Sequence, residues 1–325
     1  MKALLCERHG PPETLVFREV EAPVPGPGQV RIKMAAAGVN LPDGLIIQNL
    51  YQVKPDLPFT PGSEVAGEVD AVGEDVSDFR VGDRVAAMTV HGAFAEQTVV
   101  LADRVVKLPP AMPFDTAASL LMAYGTAFHA FRQRAALRPG ETVLVLGAGG
   151  GVGLAAVELA RAMGARVIAA AGSEEKRALA LAHGAEAAID YRNEDLRERV
   201  SAWTEGRGVD VVYDPVGGDM AERAFRSIAR YGRFLVIGFA AGSIPSLPIN
   251  LPLLKSASIV GVFWGSFLVN EPETHRRNMQ ELFELYAQGA IRPHISRKFA
   301  LADSATAIRW IMDRKALGKV VVTAE

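Results

Sequence analysis

The stretch Glu141 to Lys176 reads ETVLVLGAGGGVGLAAVELARAMGARVIAAAGSEEK, and its reading decides the fold. Thr142 to Leu146 is a short run of Val and Leu, as expected of a parallel strand buried on both faces. The glycines Gly147, Gly149, Gly150, Gly151 and Gly153 follow at once. Leu154 to Met163 then has the Ala, Leu, Glu and Arg content of a helix, Gly164 suits its C-cap, and Ala165 to Ala171 reads as a second strand. Strand, glycine turn, helix and strand in this order predict a βαβ unit that binds a dinucleotide. In such a unit the turn lets backbone approach a pyrophosphate, while free N–H groups and the helix dipole attract its charge.

The G-x-G-x-x-G fingerprint is met in the register Ala148-x-Gly150-x-x-Gly153, with Ala in the first glycine position. Ala148, Gly150, Gly151, Val152 and Gly153 are therefore the predicted pyrophosphate turn. The alternative is a glycine-rich turn that only packs helix on strand. An NAD site of this kind places an Asp or Glu about 20 residues on, at the end of the second strand, to bond the ribose 2′-hydroxyl. Nineteen residues after Gly153 stands Gly172. Ser173, Lys176 and Arg177 follow, and small plus basic residues suit a 2′-phosphate. Glu174 and Glu175 read as first-turn acids behind a Ser173 N-cap. Lys176 and Arg177 could equally be a solvated helix face.

The 325 residues exceed what one core usually supports, and 49% hydrophobic with 22% charged residues is ordinary for a soluble globular chain. Two domains are expected. A net charge of −2 with mixed signs throughout gives no basic stripe for nucleic acid and no polybasic membrane segment. The start, MKALLCERHG, lacks a signal-peptide core, so a cytoplasmic location is expected. The single cysteine, Cys6, excludes an internal disulfide and a multi-cysteine zinc site.

Residues 1 to about 110 read as strands: Lys2 to Glu7, Thr14 to Glu19, Gln29 to Ala36, Glu64 to Val72, Arg84 to Met88 and Ala93 to Val100. They are punctuated by turns such as Pro25-Gly26-Pro27-Gly28. A β-rich, barrel-like domain is expected there. Pro113 to Ala136 reads as helix. From 141 onward strand and helix alternate, through Ala187 to Asp190, Val209 to Asp214 and Arg233 to Gly238, which predicts a doubly wound parallel sheet. Ser258 to Phe263 is a further strand, Pro272 to Gln288 and Ala302 to Lys315 are amphipathic helices, and Lys319 to Thr323 is a final strand. The overall class is α/β, with the tail returning to the first domain.

Several strings carry a family resemblance. They are Ala37-Gly38-Val39-Asn40-Leu41-Pro42-Asp43, Pro61-Gly62-Ser63-Glu64-Val65-Ala66-Gly67, Val81-Gly82-Asp83-Arg84-Val85, Ala148 to Gly153, and Val211 to Gly218. Together they resemble the medium-chain dehydrogenase/reductase superfamily over essentially the whole chain. The resemblance implies a GroES-like β-rich catalytic domain, 1–122 with 266–325, and a Rossmann NADPH-binding domain, 123–265. Zinc members place Cys where Asn40 stands, His where Ser63 stands and Cys near Met122; none survives here, and the cysteine-rich structural zinc loop is absent. The chain thus resembles the zinc-independent quinone oxidoreductases similar to zeta-crystallin, and no metal is expected.

That resemblance implies NADPH as cofactor and a small-molecule quinone or enone as substrate. It places Asn40 and Thr126 near the nicotinamide, and Lys176, Tyr191 and Arg314 at the 2′-phosphate. Gly238, Phe239 and Ala240, with Phe263, Trp264 and Gly265, would border the cofactor. Tyr51, Met122, Phe239 and Trp264 would line the substrate pocket, with Tyr51 and Asn40 as catalytic candidates. Tyr51 is either a proton donor or an apolar wall. Asn40 and Asp43 could instead fix a turn, Glu64 reads as structural more than catalytic, and Phe239, Phe263 and Trp264 could be core. Acceptors other than quinones, namely alkenals, enones or enoyl thioesters, fit the same motifs, as does a nucleotide-binding protein with a structural or regulatory role. A homodimer is expected through the apolar run Ser258 to Phe263, which would otherwise be an open sheet edge.

Overall fold

A computed structural model describes residues 1–324, and the chain divides into two compact units. One comprises 1–122, 271–279 and 293–325, the other 123–270 and 280–292. The expected return at residue 266 is thus later and interrupted: 266–270 and 280–292 group with the second unit.

In the first unit the long strand Gln29–Val39 is the hub. Its first half alternates, with Val30, Ile32 and Met34 buried between Arg31 and Lys33, as a strand with one face on the core requires. It pairs antiparallel with Glu64–Val72, Gln97–Leu101 and Lys319–Thr323. The sheet then continues through Arg84–Met88 to Val105–Lys107 on one side and to Ile295–Ala300 on the other. Two registers position the site. Gly38 lies opposite Glu64, and Val39 opposite Val320, so Asn40, Glu64 and Lys319 arrive at one end of three neighbouring strands.

Three features depart from the sequence reading. Asn40 opens a short helix, Leu41–Ile46, rather than a plain turn, with Pro42 in its first turn where no amide is needed. Ile295–Ala300, ISRKFA, is a strand whose charged residues face solvent at the sheet edge, and that composition masks it. The helical stretch from Pro113 breaks into Phe114–Ala117 and Leu121–His129, followed by the wider turn Ala130–Arg134.

The second unit holds six parallel strands in the order Ala187–Ile189, Arg166–Ala170, Thr142–Leu146, Val209–Asp214, Ile228–Val236, Ser258–Gly261. Val143 to Leu146 are all buried, since helices cover both faces of such a sheet. Strand order reverses between Thr142–Leu146 and Val209–Asp214, and ligands of doubly wound sheets bind outside the carboxyl ends at that reversal. Ser258–Gly261 ends the sheet, with Ile259 exposed. Two helices here were not foreseen, Asn250–Lys255 and Trp264–Asn270. No helix among the described residues is long and apolar enough to cross a membrane.

Candidate functional site

The glycine turn sits at the strand reversal. Gly147 takes φ +60°, the left-handed region, so the sharp turn is made one residue before the first fingerprint position. Ala148 can therefore carry its methyl group, which is fully buried. Gly150 is the N-cap of the helix Gly151–Ala162, whose first-turn N–H groups on Gly151, Val152 and Gly153 lack intrahelical acceptors. A Cβ on Gly153 would collide with the Gly147 carbonyl oxygen, so this glycine lets helix and strand close up. Across the reversal, Val216 borders Gly147 from a turn that Asp214 fixes by accepting the N–H groups of Val216 and Gly217, each at 2.8 Å.

Gly172 ends the second strand as the sequence predicts, and its surroundings are basic. A Cβ there would lie 2.6 Å from Arg192 Nε and 3.1 Å from Tyr191 Oη. Ser173 caps Glu174–Ala182 by accepting the Lys176 N–H at 3.4 Å, and Glu174 and Glu175 are exposed first-turn acids. The stem of Lys176 packs over Gly149, which joins this end to the glycine turn. Arg177 departs from expectation: its guanidinium pairs with Asp190 at 2.9 Å and turns back to the Ala171 carbonyl, so its charge is already neutralised.

The remaining candidates of this unit lie on the helix Leu121–His129 and just after the strands Ile228–Val236 and Ser258–Gly261. Trp264 packs its indole on Gly125, beside Thr126 on the helix Leu121–His129. Trp264 is buried, whereas Phe263 and Phe239 are exposed, so neither phenylalanine is plain core. Gly238 and Phe239 follow Ile228–Val236. Asn40, Tyr51, Met122 and Arg314 belong to the first unit, and Arg314 takes φ +59° just after the helix Ser304–Met312.

In the first unit the three strand ends meet in a buried polar network. Lys319 Nζ donates to Asn40 Oδ1 at 2.7 Å and to Glu64 Oε2 at 3.0 Å. Asn40 Nδ2 donates to Glu64 Oε2 at 3.0 Å, and the backbone N–H of Met122 donates to Glu64 Oε1 at 2.9 Å. Asp43 accepts the Asn40 backbone N–H at 2.7 Å and the Ser63 hydroxyl at 3.2 Å. Asn40, the catalytic candidate, thus has both ends of its amide engaged within the protein. Asn40 meets the Lys319 ammonium, Ser63 the Asp43 carboxyl, and Met122 reaches Glu64 through its backbone N–H. No three His, Cys, Asp or Glu side chains converge as metal ligands among the described residues.

Burial pushes the Asp43 carboxyl up to about 7, with the Glu64 charge adding to it and the Asn40 N–H, the Ser63 hydroxyl and the Lys319 charge opposing. Tyr51 is half-buried against the core of this unit, and its phenol is raised by burial and then by Asp43.

A glycine turn with free helix N–H groups at the strand reversal of one unit, in a chain whose other unit is β-rich, fits the dinucleotide-dependent oxidoreductase class. Comparison makes this specific. Residues 26–110 match the alcohol dehydrogenase GroES-like domain, and 151–287 match the family described as zinc-binding dehydrogenase. The chain is 39% identical over 325 residues to a Pseudomonas aeruginosa quinone oxidoreductase, covering 99% of each. It is also 39% identical to bovine quinone oxidoreductase-like protein 2, covering 99% of this chain and 92% of that protein. The crystal structure of Escherichia coli quinone oxidoreductase complexed with NADPH superposes with a TM-score of 0.93 at 31% identity, over 99% of this chain and 100% of that one. The chain belongs to the quinone oxidoreductase branch of the medium-chain dehydrogenase/reductase superfamily.

Sequence reasoning missed Lys319 and Arg192. Lys319 heads a strand that is otherwise apolar, KVVVT, and that isolated charge was the available signal.

The raised Asp43 carboxyl has a pH consequence. The folded state keeps a proton that the unfolded chain releases from about pH 4, so this group's contribution to stability falls as pH rises to about 7 and is flat above. Asp43→Asn keeps an acceptor for the Asn40 N–H but cannot titrate. Urea unfolding of both proteins should show wild type losing about 2 kcal/mol relative to the variant between pH 5 and pH 8. Parallel pH profiles would show that Asp43 ionises normally.

Proposed function

We propose that this protein uses NADPH to reduce a quinone or a related activated enone. The observation that carries the reading is the end of the second strand, where a carboxylate for a ribose hydroxyl is replaced by Gly172 under a guanidinium, with Lys176 alongside. The residues present fit the cofactor. Gly147 to Gly153 would hold its pyrophosphate, Lys176 and Tyr191 its 2′-phosphate, and Thr126, Gly238, Phe239, Phe263, Trp264 and Gly265 its nicotinamide end. When bound, NADPH supplies a hydride, and the protein contributes position and charge stabilisation.

An acceptor that gains a hydride develops negative charge on oxygen, and in this reading a protein donor meets it. Tyr51 is that donor. Burial and the Asp43 charge both raise its phenol, so it keeps its proton at neutral pH. Asn40 shapes the site from within the Lys319 network instead of donating itself. A double-bond reductase acting on enones or enoyl thioesters is the second reading, favoured by the same phenol, because an enolate needs a proton more than a hydroquinone anion does.

One assay separates these. NADPH and NADH oxidation measured against a quinone, an enone and an enoyl thioester should show NADPH preferred and the quinone turned over fastest. Tyr51→Phe should lower kcat for the enone about 100-fold and spare the quinone. An enone kcat within about threefold of wild type removes the donor role and leaves Tyr51 as pocket wall. Fastest turnover of the enone or the thioester assigns the second reading, and tight NADPH binding with no turnover assigns a binding role.

The homodimer is part of the same proposal. It is supported by the open, apolar edge strand Ser258–Gly261 with exposed Ile259, followed by exposed Phe263. Light scattering at micromolar concentration should give twice the chain mass, and Ile259→Lys should halve it. A wild-type monomer refutes the dimer.

A further inference from the structure

The basic end of the second strand holds several cations that are not equivalent. Arg177 is neutralised by Asp190 at 2.9 Å. Lys176 lies with its stem over Gly149, toward the glycine turn. Glu194, the acid nearest in sequence after Arg192, accepts the Asp190 N–H at 2.7 Å and pairs with Arg199 at 3.0 Å. Arg192 is exposed, and its guanidinium pairs with no carboxylate among the described residues.

The position of that guanidinium is specific. A Cβ on Gly172 would lie 2.6 Å from Arg192 Nε and 3.1 Å from its Cζ, so any side chain at 172 would displace Arg192. A carboxylate reading a 2′-hydroxyl would have to start from that same Cβ. Gly172 and Arg192 are thus a matched pair: the missing side chain of one makes room for the charge of the other. Tyr191 Oη, 3.1 Å from the same point, adds a neutral donor. A guanidinium presents forked N–H groups to a phosphate and has no acceptor for a hydroxyl.

We propose that Arg192, seated over Gly172, is the residue that makes the site select a 2′-phosphate over a 2′-hydroxyl, with Lys176 as a second and less selective charge. This inference rests on the NADPH reading above and sharpens it to one contact. Arg177, next to Lys176 in sequence, takes no part because Asp190 holds it.

The test uses two probes that differ only at the 2′ position, adenosine 2′,5′-bisphosphate and adenosine 5′-monophosphate, titrated calorimetrically into the full-length protein. Wild type should prefer the bisphosphate at least tenfold, as expected of a charge-assisted contact. Arg192→Ala should lose about tenfold or more for the bisphosphate and stay within about twofold for the monophosphate. Gly172→Ala removes no charge, yet it should lose part of the bisphosphate preference by shifting Arg192, and Arg192→Lys should keep part of it. If wild type itself shows no preference, the NADPH reading fails. If wild type prefers the bisphosphate but Arg192→Ala keeps the full preference, or loses both probes equally, the assignment of Arg192 is overturned while the NADPH reading stands.

Discussion

The first unit is organised by a buried ion pair. Lys319 and Glu64, both nearly inaccessible, meet at 3.0 Å. Burying two charges costs several kcal/mol each before their attraction is counted, so such a pair is not a net source of stability by itself. Its effect is on arrangement. Glu64 must find donors for both oxygens, and it finds them on Asn40 and Lys319 at one end and on the Met122 amide at the other. Three strand ends and the start of a helix are thereby fixed to one another.

The second unit depends on a different constraint, the reversal of strand order beside Thr142–Leu146. A reversal leaves a crevice at the carboxyl ends, and the turn that fills it has to be small. Gly147 supplies the left-handed turn and Gly153 the close approach, while Gly172 leaves room for Arg192. These glycines and one arginine form a surface whose backbone donors and positive charge suit a phosphorylated dinucleotide.

Much of this was readable in advance, and the reason differs by element. Thr142–Leu146, Val209–Asp214 and Lys319–Thr323 have the expected limits because each is a short run rich in Val and Leu or Tyr set between turn residues. Ile295–Ala300 was not readable, since a charged edge strand has no such run. Asn250–Lys255 carries Pro252 and too few residues for a helical period, so only its setting makes it a helix. For the site, the glycine turn and the Ser173 cap are local patterns and were legible. Lys319 was not, because its role depends on pairing with a strand nearly 280 residues earlier. Arg192 was hidden for a similar reason: its sequence neighbours are loop residues, and its partner in space is a missing side chain.

Lys319 and Glu64 act as one unit that sets the candidate site of the first unit. A double-mutant cycle with Lys319→Met and Glu64→Gln, read by urea unfolding, tests it most directly. Each single change should destabilise the protein by about 3 to 5 kcal/mol, since it strands a buried polar partner. The double variant should be more stable than the sum of the two losses implies, with a coupling of about 2 kcal/mol or more. Strictly additive losses would contradict the claim and reduce the network to independent contacts.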